Sequence, residues 1–386
     1  MLHSTNDRAT PLLRQRCDHE RSRGFAMCRE VSVVKVLVTG AAGFIGSTTA
    51  ELLLSKGHEV VAVDNLASGR AKNVPVGATF VEGDCGDEEL IRSIGTVDAC
   101  VHFAARIEPG ESMKYPEVFF ANNVASTLRL LQTLIELEVP RFVFSSSCAV
   151  YGDQTEMPID EMRSINPQSP YGQSKRMVEE AMSWLVSCGR VRTASMRYFN
   201  AAGGTLSHPE RHDPEIHLIP IALDAAAGRR SHLEIYGDDY PTPDGTCIRD
   251  YIHVSDLAEA HVLAISALEV HAELVLNLGS GVGYSNREIV ACVKEVTGVD
   301  FEVRFTGRRP GDPAAAVASN GRARDVLGWR LEHSELETIV RDAWIAYQSM
   351  GKGVRTGSGP EASTTPVVVC RASCAWVSRD RRGRVP

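Results

Sequence analysis

Lys35-Val36-Leu37-Val38-Thr39-Gly40-Ala41-Ala42-Gly43-Phe44-Ile45-Gly46 decides how the rest of this chain is read. Its first five residues form a β-prone run, and from Phe44 the apolar spacing turns helical. Between them stand glycines with separable uses. Gly40 can take a backbone conformation other residues avoid, and Gly43 lets the chain approach a pyrophosphate closely. Gly46 lets helix and strand pack without an intervening side chain. The unpaired N–H groups of a helix start then face phosphate oxygens. The glycines fall three-by-three rather than in the two-then-three spacing of the general dinucleotide fingerprint. A purely structural tight turn is the alternative.

Working outward, short β-rich runs alternate with helical patterns. Strands are expected at Glu59–Val63, Thr79–Val81, Asp98–Phe103, Arg141–Ser145 and Val191–Tyr198, and helices at Phe44–Lys56, Asn122–Glu138 and Tyr171–Cys188. Repeated units of this length predict an α/β fold with a doubly wound, Rossmann-type parallel sheet covered on both faces. After about Gly203 the rhythm loosens. Helices are expected near Leu218–Gly228, Ser255–Leu268, Ser285–Thr297 and Ser334–Tyr347, with strands near Leu233–Tyr236, Leu274–Asn277 and Phe301–Arg304. The expected organisation is a dinucleotide-binding domain over 35–202, with returning segments from 233–278, and a smaller α/β substrate lobe over 203–350. Residues 1–34 read as an extension and 351–386 as a basic tail.

The 386 residues are 43% hydrophobic and 23% charged, the make-up of an ordinary globular protein. Their net charge of -8 gives no reason to expect nucleic acid or an anionic membrane as a partner. No stretch reaches the roughly 18 apolar residues of a membrane span. The ends together carry +7 against -15 for the part between them. The first 34 residues lack the apolar run of a secretory signal. Met27 stands just ahead of the first strand, so an extended start and a functional arm are both open. The ten cysteines show no metal-site spacing, Cys370 and Cys374 lacking a second pair. Reduced thiols in a cytoplasmic protein, and no metal, are expected.

Asp64 lies 18 residues beyond Gly46 at the end of the second expected strand. There a carboxylate accepts hydrogen bonds from an adenosine ribose and repels a 2′-phosphate, favouring NAD over NADP; a plain turn residue is the alternative. Asp84 could hold the adenine amino group or cap backbone. Tyr171 and Lys175, at i and i+4, share a helix face. A tyrosine with a pKa of about 10 becomes a usable base when a lysine cation and an oxidised nicotinamide favour the phenolate. Such a pair also arises by chance on solvated helices; its weight comes from following a strand that ends in Ser145-Ser146-Ser147. A serine hydroxyl beside Tyr171 can relay the proton or steady a keto intermediate, or simply cap backbone.

At these residues the chain resembles the extended short-chain dehydrogenase/reductase superfamily, and within it the UDP-glucose 4-epimerase family. The resemblance runs from about Lys35 to Gln348, and the long stretch Tyr236–Val254 is its most specific part. It implies C4 inversion of a UDP-hexose through a transient 4-keto sugar, with Tyr171 as base, Ser147 assisting and Lys175 on the nicotinamide ribose. The cofactor would be held by Gly40, Gly43, Phe44, Ile45, Gly46, Asp64, Asn65, Asp84, Cys85, Phe103, Ala104, Arg106, Asn122, Tyr171, Lys175 and Tyr198. Ser147, Tyr171, Asn200, His217, Leu218, Arg249, Arg309, Asp312 and Ala316 would meet the substrate. The two arginines suit a diphosphate, although Arg249-Asp250 can also be read as a plain ion pair. Asp312 would position Arg309 or meet the uridine ribose. A homodimer is implied as well.

The pattern departs from the family in two places. Arg106 replaces a lysine, one position early, and Cys148-Ala149 stand where Ala-Thr is common. An acidic pair that related dehydratases carry after the serine is missing. The small Ala316 leaves room beside the sugar 2-substituent, so N-acetylhexosamine substrates fit the pattern. A UDP-pentose epimerase and a catalytically silent NAD- and UDP-sugar-binding protein are the other readings.

Overall fold

The computed structural model describes residues 33–352, apart from residues 211, 213, 310 and 311. The expectations for the two termini therefore lie outside the described residues. Thirteen strands run in chain order: β1 Lys35–Thr39, β2 Glu59–Asp64, β3 Thr79–Glu82, β4 Ala99–His102, β5 Arg141–Ser147, β6 Arg192–Tyr198, β7 Asn200–Ala202, β8 Leu233–Tyr236, β9 Ile248–His253, β10 Glu273–Leu278, β11 Gly283–Ser285, β12 Val303–Thr306 and β13 Ala315–Ala316.

Seven of them form one sheet in the order β10-β6-β5-β4-β1-β2-β3, and every neighbouring pair is parallel. The order reverses between β1 and β4, so the carboxyl ends of these two strands flank the crevice where a doubly wound sheet binds its ligand. Strand alternation sorts the core onto the two faces. Val36, Val38, Val60, Ala62, Val101 and Met196 pack against helices Phe44–Ser55 and Val254–Ala267. Leu37, Val61, Val63, Phe142 and Phe144 pack on the other side against helices Glu88–Ile94, Ser126–Glu136 and Pro170–Ser187.

A third cluster joins helices Leu218–Ala226, Asn286–Thr297 and Leu336–Lys352 to Leu233, Ile235 and Tyr251. Strand β9 is the hub of a smaller sheet, pairing with β7, β11 and β13. None of β7, β9, β11 and β13 was expected. They are short, and β9 lies inside a polar, motif-rich stretch with no alternation to betray it. The helix expected to start at Asn122 starts at Ser126, preceded by a π-helical turn over Phe120–Ala125.

Candidate active site

The turn after β1 sets the geometry. Gly40 has φ +72°, and a Cβ there would come within 2.6 Å of the Ala104 backbone nitrogen; one on Gly46 would lie 2.2 Å from the Gly40 carbonyl oxygen. Both positions exclude a side chain, so strand end, helix start and the Phe103-Ala104 segment close to backbone distance. Gly43 begins the helix without a side-chain cap, leaving the first-turn donors of Phe44 and Ile45 available to an anion.

The acids lie at the same edge. Asp64, 8% exposed, accepts from the Ala42 and Leu66 amides at 2.9 and 2.8 Å. Asn65 donates to Asp84 at 3.3 Å, and Asp84 also accepts from the Gly86 amide at 2.7 Å. Cys85 beside it is buried, its thiol pushed up to about 12 by desolvation and then by Asp84. Phe103 packs on the ring of His261 with centroids 4.8 Å apart. Arg106 sits apart from this group, half-exposed and 3.7 Å from Glu111.

The sequence reading passed over Asn123. It is buried in the π-helical turn, accepts from the Arg106 amide at 2.8 Å, and donates to the Arg106 carbonyl at 3.0 Å and to Ser174 at 3.1 Å. Asn122, its half-buried neighbour, donates to it at 2.9 Å. Two adjacent asparagines in an apolar helical run were the available signal, since a buried amide has to find partners.

Tyr171 and Lys175 are both buried on helix Pro170–Ser187, which Ser169 caps at its start and whose first residue is Pro170. Lys175 Nζ donates to the Ser145 carbonyl at 2.7 Å and lies 5.9 Å from the Tyr171 ring centre. Burial pulls the Lys175 ammonium down to about 7, with Glu179 opposing. Burial also raises the Tyr171 phenol above its ordinary value; Tyr198 adds to this and the Ser147 hydroxyl works against it. Among the chain's own groups, desolvation is the largest influence on Tyr171 and opposes the phenolate. Ser147 ends β5 and accepts from the Ala149 amide at 3.2 Å. Tyr198 faces Ser147 in register across β5 and β6 and bonds the Ser145 hydroxyl. Cys148 is half-buried, and desolvation drives its thiol up to about 12, the condition of an inert thiol.

Behind this pair lies a network the sequence reading also missed. Glu179 takes Arg197 in two bonds of 2.9 and 2.6 Å and Ser146 in one of 2.5 Å. Arg197 continues to the Tyr151 hydroxyl at 3.0 Å, which donates to Asn277 at 2.7 Å. The helix of Tyr171 and Lys175 is thus fastened to β5, β6 and β10 through buried polar atoms.

The expected substrate residues gather around β9. Asn200 donates to the Asp250 carbonyl at 2.8 Å. Ala316 stands opposite Arg249 in the β13–β9 register and packs beside Tyr151 and Phe199. The plain Arg249–Asp250 ion pair is not formed. Asp250 is fully buried and accepts from the amides of Ser280, Gly281 and Ala318 and from the Ser280 hydroxyl at 2.7–3.0 Å, while Arg249 donates to the Ile248 carbonyl at 2.9 Å. Arg309 pairs with Asp312 at 3.2 Å and lies 4.6 Å over the Tyr236 ring. Pro310 and Gly311 between them are outside the described residues. His217 stands at the N-cap position of the helix that Leu218 begins, without a side-chain capping bond.

The model of the NAD dependent epimerase/dehydratase family matches residues 36–279. A UDP-glucose 4-epimerase of Streptomyces lividans is 44% identical over 323 residues, covering 83% of this chain and 98% of that protein. The crystal structure of UDP-glucose 4-epimerase from Brucella ovis in complex with NAD superposes with a TM-score of 0.77 at 45% identity, covering 80% of this chain and 97% of that one. That of Stenotrophomonas maltophila UDP-glucose-4-epimerase, with bound NAD and formylated UDP-arabinopyranose, gives 0.80 at 37% identity, covering 82% and 99%. With a glycine turn, two strand-end acids and a buried Tyr/Lys pair at one edge of its sheet, this chain belongs to the NAD-dependent epimerase/dehydratase family, among its UDP-glucose 4-epimerases.

Proposed function

We propose that this protein inverts C4 of a UDP-hexose, UDP-glucose and UDP-galactose being the first pair, with NAD as a resident cofactor. The observation that carries this is the burial of Tyr171 and Lys175 on one helix face beside Ser147, at the carboxyl edge of the sheet that also carries the glycine turn. The residues fit NAD: uncapped donors begin helix Phe44–Ser55, and Asp64, with Asn65 and Asp84 beside it, offers carboxylate and amide oxygens to an adenosine. When bound, NAD would supply the acceptor and donor of the C4 hydride, and its positive nicotinamide ring would favour the Tyr171 phenolate.

Tyr171 takes the proton of the sugar 4-hydroxyl, with Ser147 handing it on, and returns it when the hydride comes back on the other face. Lys175 holds the nicotinamide ribose and, as a cation, favours the phenolate. Tyr198 and Arg106 complete the cofactor side. Asn200, His217, Leu218, Arg249, Arg309 and Asp312 meet the UDP portion, and Ala316 leaves space at the sugar 2-position. Residues 35–202 with β10 form the cofactor domain, and 203–350 supplies most of the substrate lobe. The protein is a homodimer pairing through the outer faces of helices Ser126–Glu136 and Pro170–Ser187, where Leu128, Met177 and Trp184 are exposed. Six cysteines among the described residues are unpaired, in keeping with the cytoplasm. None of the described helices is long and apolar enough to cross a membrane.

Incubation of the purified protein with UDP-galactose, and separately with UDP-GalNAc and UDP-arabinopyranose, followed by separation of the products, tests the assignment. Formation of UDP-glucose is expected. Binding without turnover of any of the three would replace the enzyme by a silent binder.

A further inference from the structure

The segment between β7 and helix Leu218–Ala226 brings together Glu210, His212, Glu215 and His217, whose ligand-capable atoms all lie within 4.8 Å of one another. His217 Nδ1 is 2.8 Å from Glu210 Oε1 and 3.6 Å from Glu215 Oε1. His212 Nδ1 is 4.0 and 3.7 Å from the same two oxygens. In a tetrahedral site with bonds of roughly 2.0–2.1 Å, neighbouring ligand atoms stand about 3.3 Å apart. The four atoms are therefore spaced as a slightly open coordination shell.

Hydrogen bonding does not account for the arrangement. His212 Nδ1, His217 Nδ1 and Glu210 Oε2 are buried and have no hydrogen-bond partner among the described residues, although His217 Nδ1 stands 2.8 Å from a Glu210 oxygen. The Glu210 side chain is 4% exposed, and a carboxylate so buried is costly without a compensating cation. Glu215 is oriented from behind: its two oxygens accept from the amides of His212, Ile216 and His217 at 3.0–3.1 Å. Backbone bonds of this kind fix a ligand before an ion arrives.

We propose that Glu210, His212, Glu215 and His217 form a site for one divalent transition-metal ion of the zinc class. The sequence reading assigned no metal because no cysteine spacing suggested one. Two imidazole nitrogens with two carboxylate oxygens suit zinc, cobalt or nickel, whereas magnesium and calcium favour all-oxygen shells. Two carboxylates and two neutral imidazoles also balance the charge of the ion. The ion joins Glu210, His212, Glu215 and His217 and fixes the start of helix Leu218–Ala226. Its role is structural; it shares His217 with the residues assigned above to the UDP portion, and its test reads metal binding rather than turnover.

The test uses the full chain, prepared without a histidine tag, stripped by chelator and dialysed. Titration with zinc chloride in a calorimeter should saturate at one ion per chain and raise the melting temperature. Cobalt chloride should give the intense visible bands of a tetrahedral complex, bleached by zinc. Glu210→Gln and His212→Asn should each weaken binding by at least about 10-fold, the loss that follows even from disturbing an outer-shell partner. Far-ultraviolet circular dichroism and NAD content report folding; should Glu210→Gln fold poorly, the more exposed His212 position alone decides. Absence of saturable zinc binding at one equivalent, or equal binding by the parent and a folded variant, overturns the proposal.

Discussion

The surroundings of Tyr171 and the rim around Arg249 and Arg309 are built on opposite plans. Behind Tyr171 a set of polar groups is buried and tied: Lys175 to a carbonyl, Glu179 to Arg197 and Ser146, Tyr151 to Asn277. At the rim Arg309 is more than half exposed and pairs with Asp312, itself about one-third exposed, and among the described residues Arg249 donates only to its neighbour's carbonyl. A proton-transfer pair needs its geometry fixed before substrate arrives, whereas arginines that grip a diphosphate need donors still unspent. On the roles proposed above, rigidity and unspent donors are divided between these two parts of the molecule.

The contrast can be broken at graded cost. Tyr171→Phe should lower kcat by about 10²- to 10⁴-fold, the usual worth of a positioned acid–base group, with bound NAD retained in the absorbance spectrum; full turnover would remove Tyr171 from the chemistry. Glu179→Ala leaves Arg197 buried without its counter-charge and should cost about 3–5 kcal/mol in denaturant unfolding. A loss near zero would mean that the tied plan does not hold behind the pair. Arg249→Ala should raise KM for the UDP-sugar by about 10- to 100-fold, as expected for losing bonds of about 1.5–3 kcal/mol to a charged group, while the melting temperature stays put. Asp312→Asn at the exposed pair should change stability by no more than about 1 kcal/mol; a larger loss would show the rim to be as tightly built as the core.

The same division governs what could be read beforehand. The glycine turn, the Tyr/Lys spacing and most of the strands are local signals, and local signals survive in a sequence. Glu179 and Arg197 are 18 residues apart on different elements, so nothing adjacent to either announces the other. Arg249 and Asp250 show the reverse error. Neighbours in the chain look like an ion pair, but successive side chains of a strand point to opposite faces, and Asp250 turns to backbone amides. The Tyr171 phenol illustrates a further gap: a sequence shows which charges lie near a phenol but not how much water its burial removes.

The strand β10 deserves a last consideration for what it asks of synthesis. It lies beside β6 and completes the seven-stranded sheet, yet it follows β6 only after the segments that form β7, β8 and β9. Until residue 278 has been made, the edge of β6 offers unpaired backbone donors and acceptors to any extended chain nearby. A nascent chain ending near residue 202 therefore carries all the residues of the glycine turn and of the Tyr171 helix, but an open sheet. The ribosome must deliver about 70 further residues before that edge closes, and translation at roughly 5–20 residues per second leaves it open for several seconds.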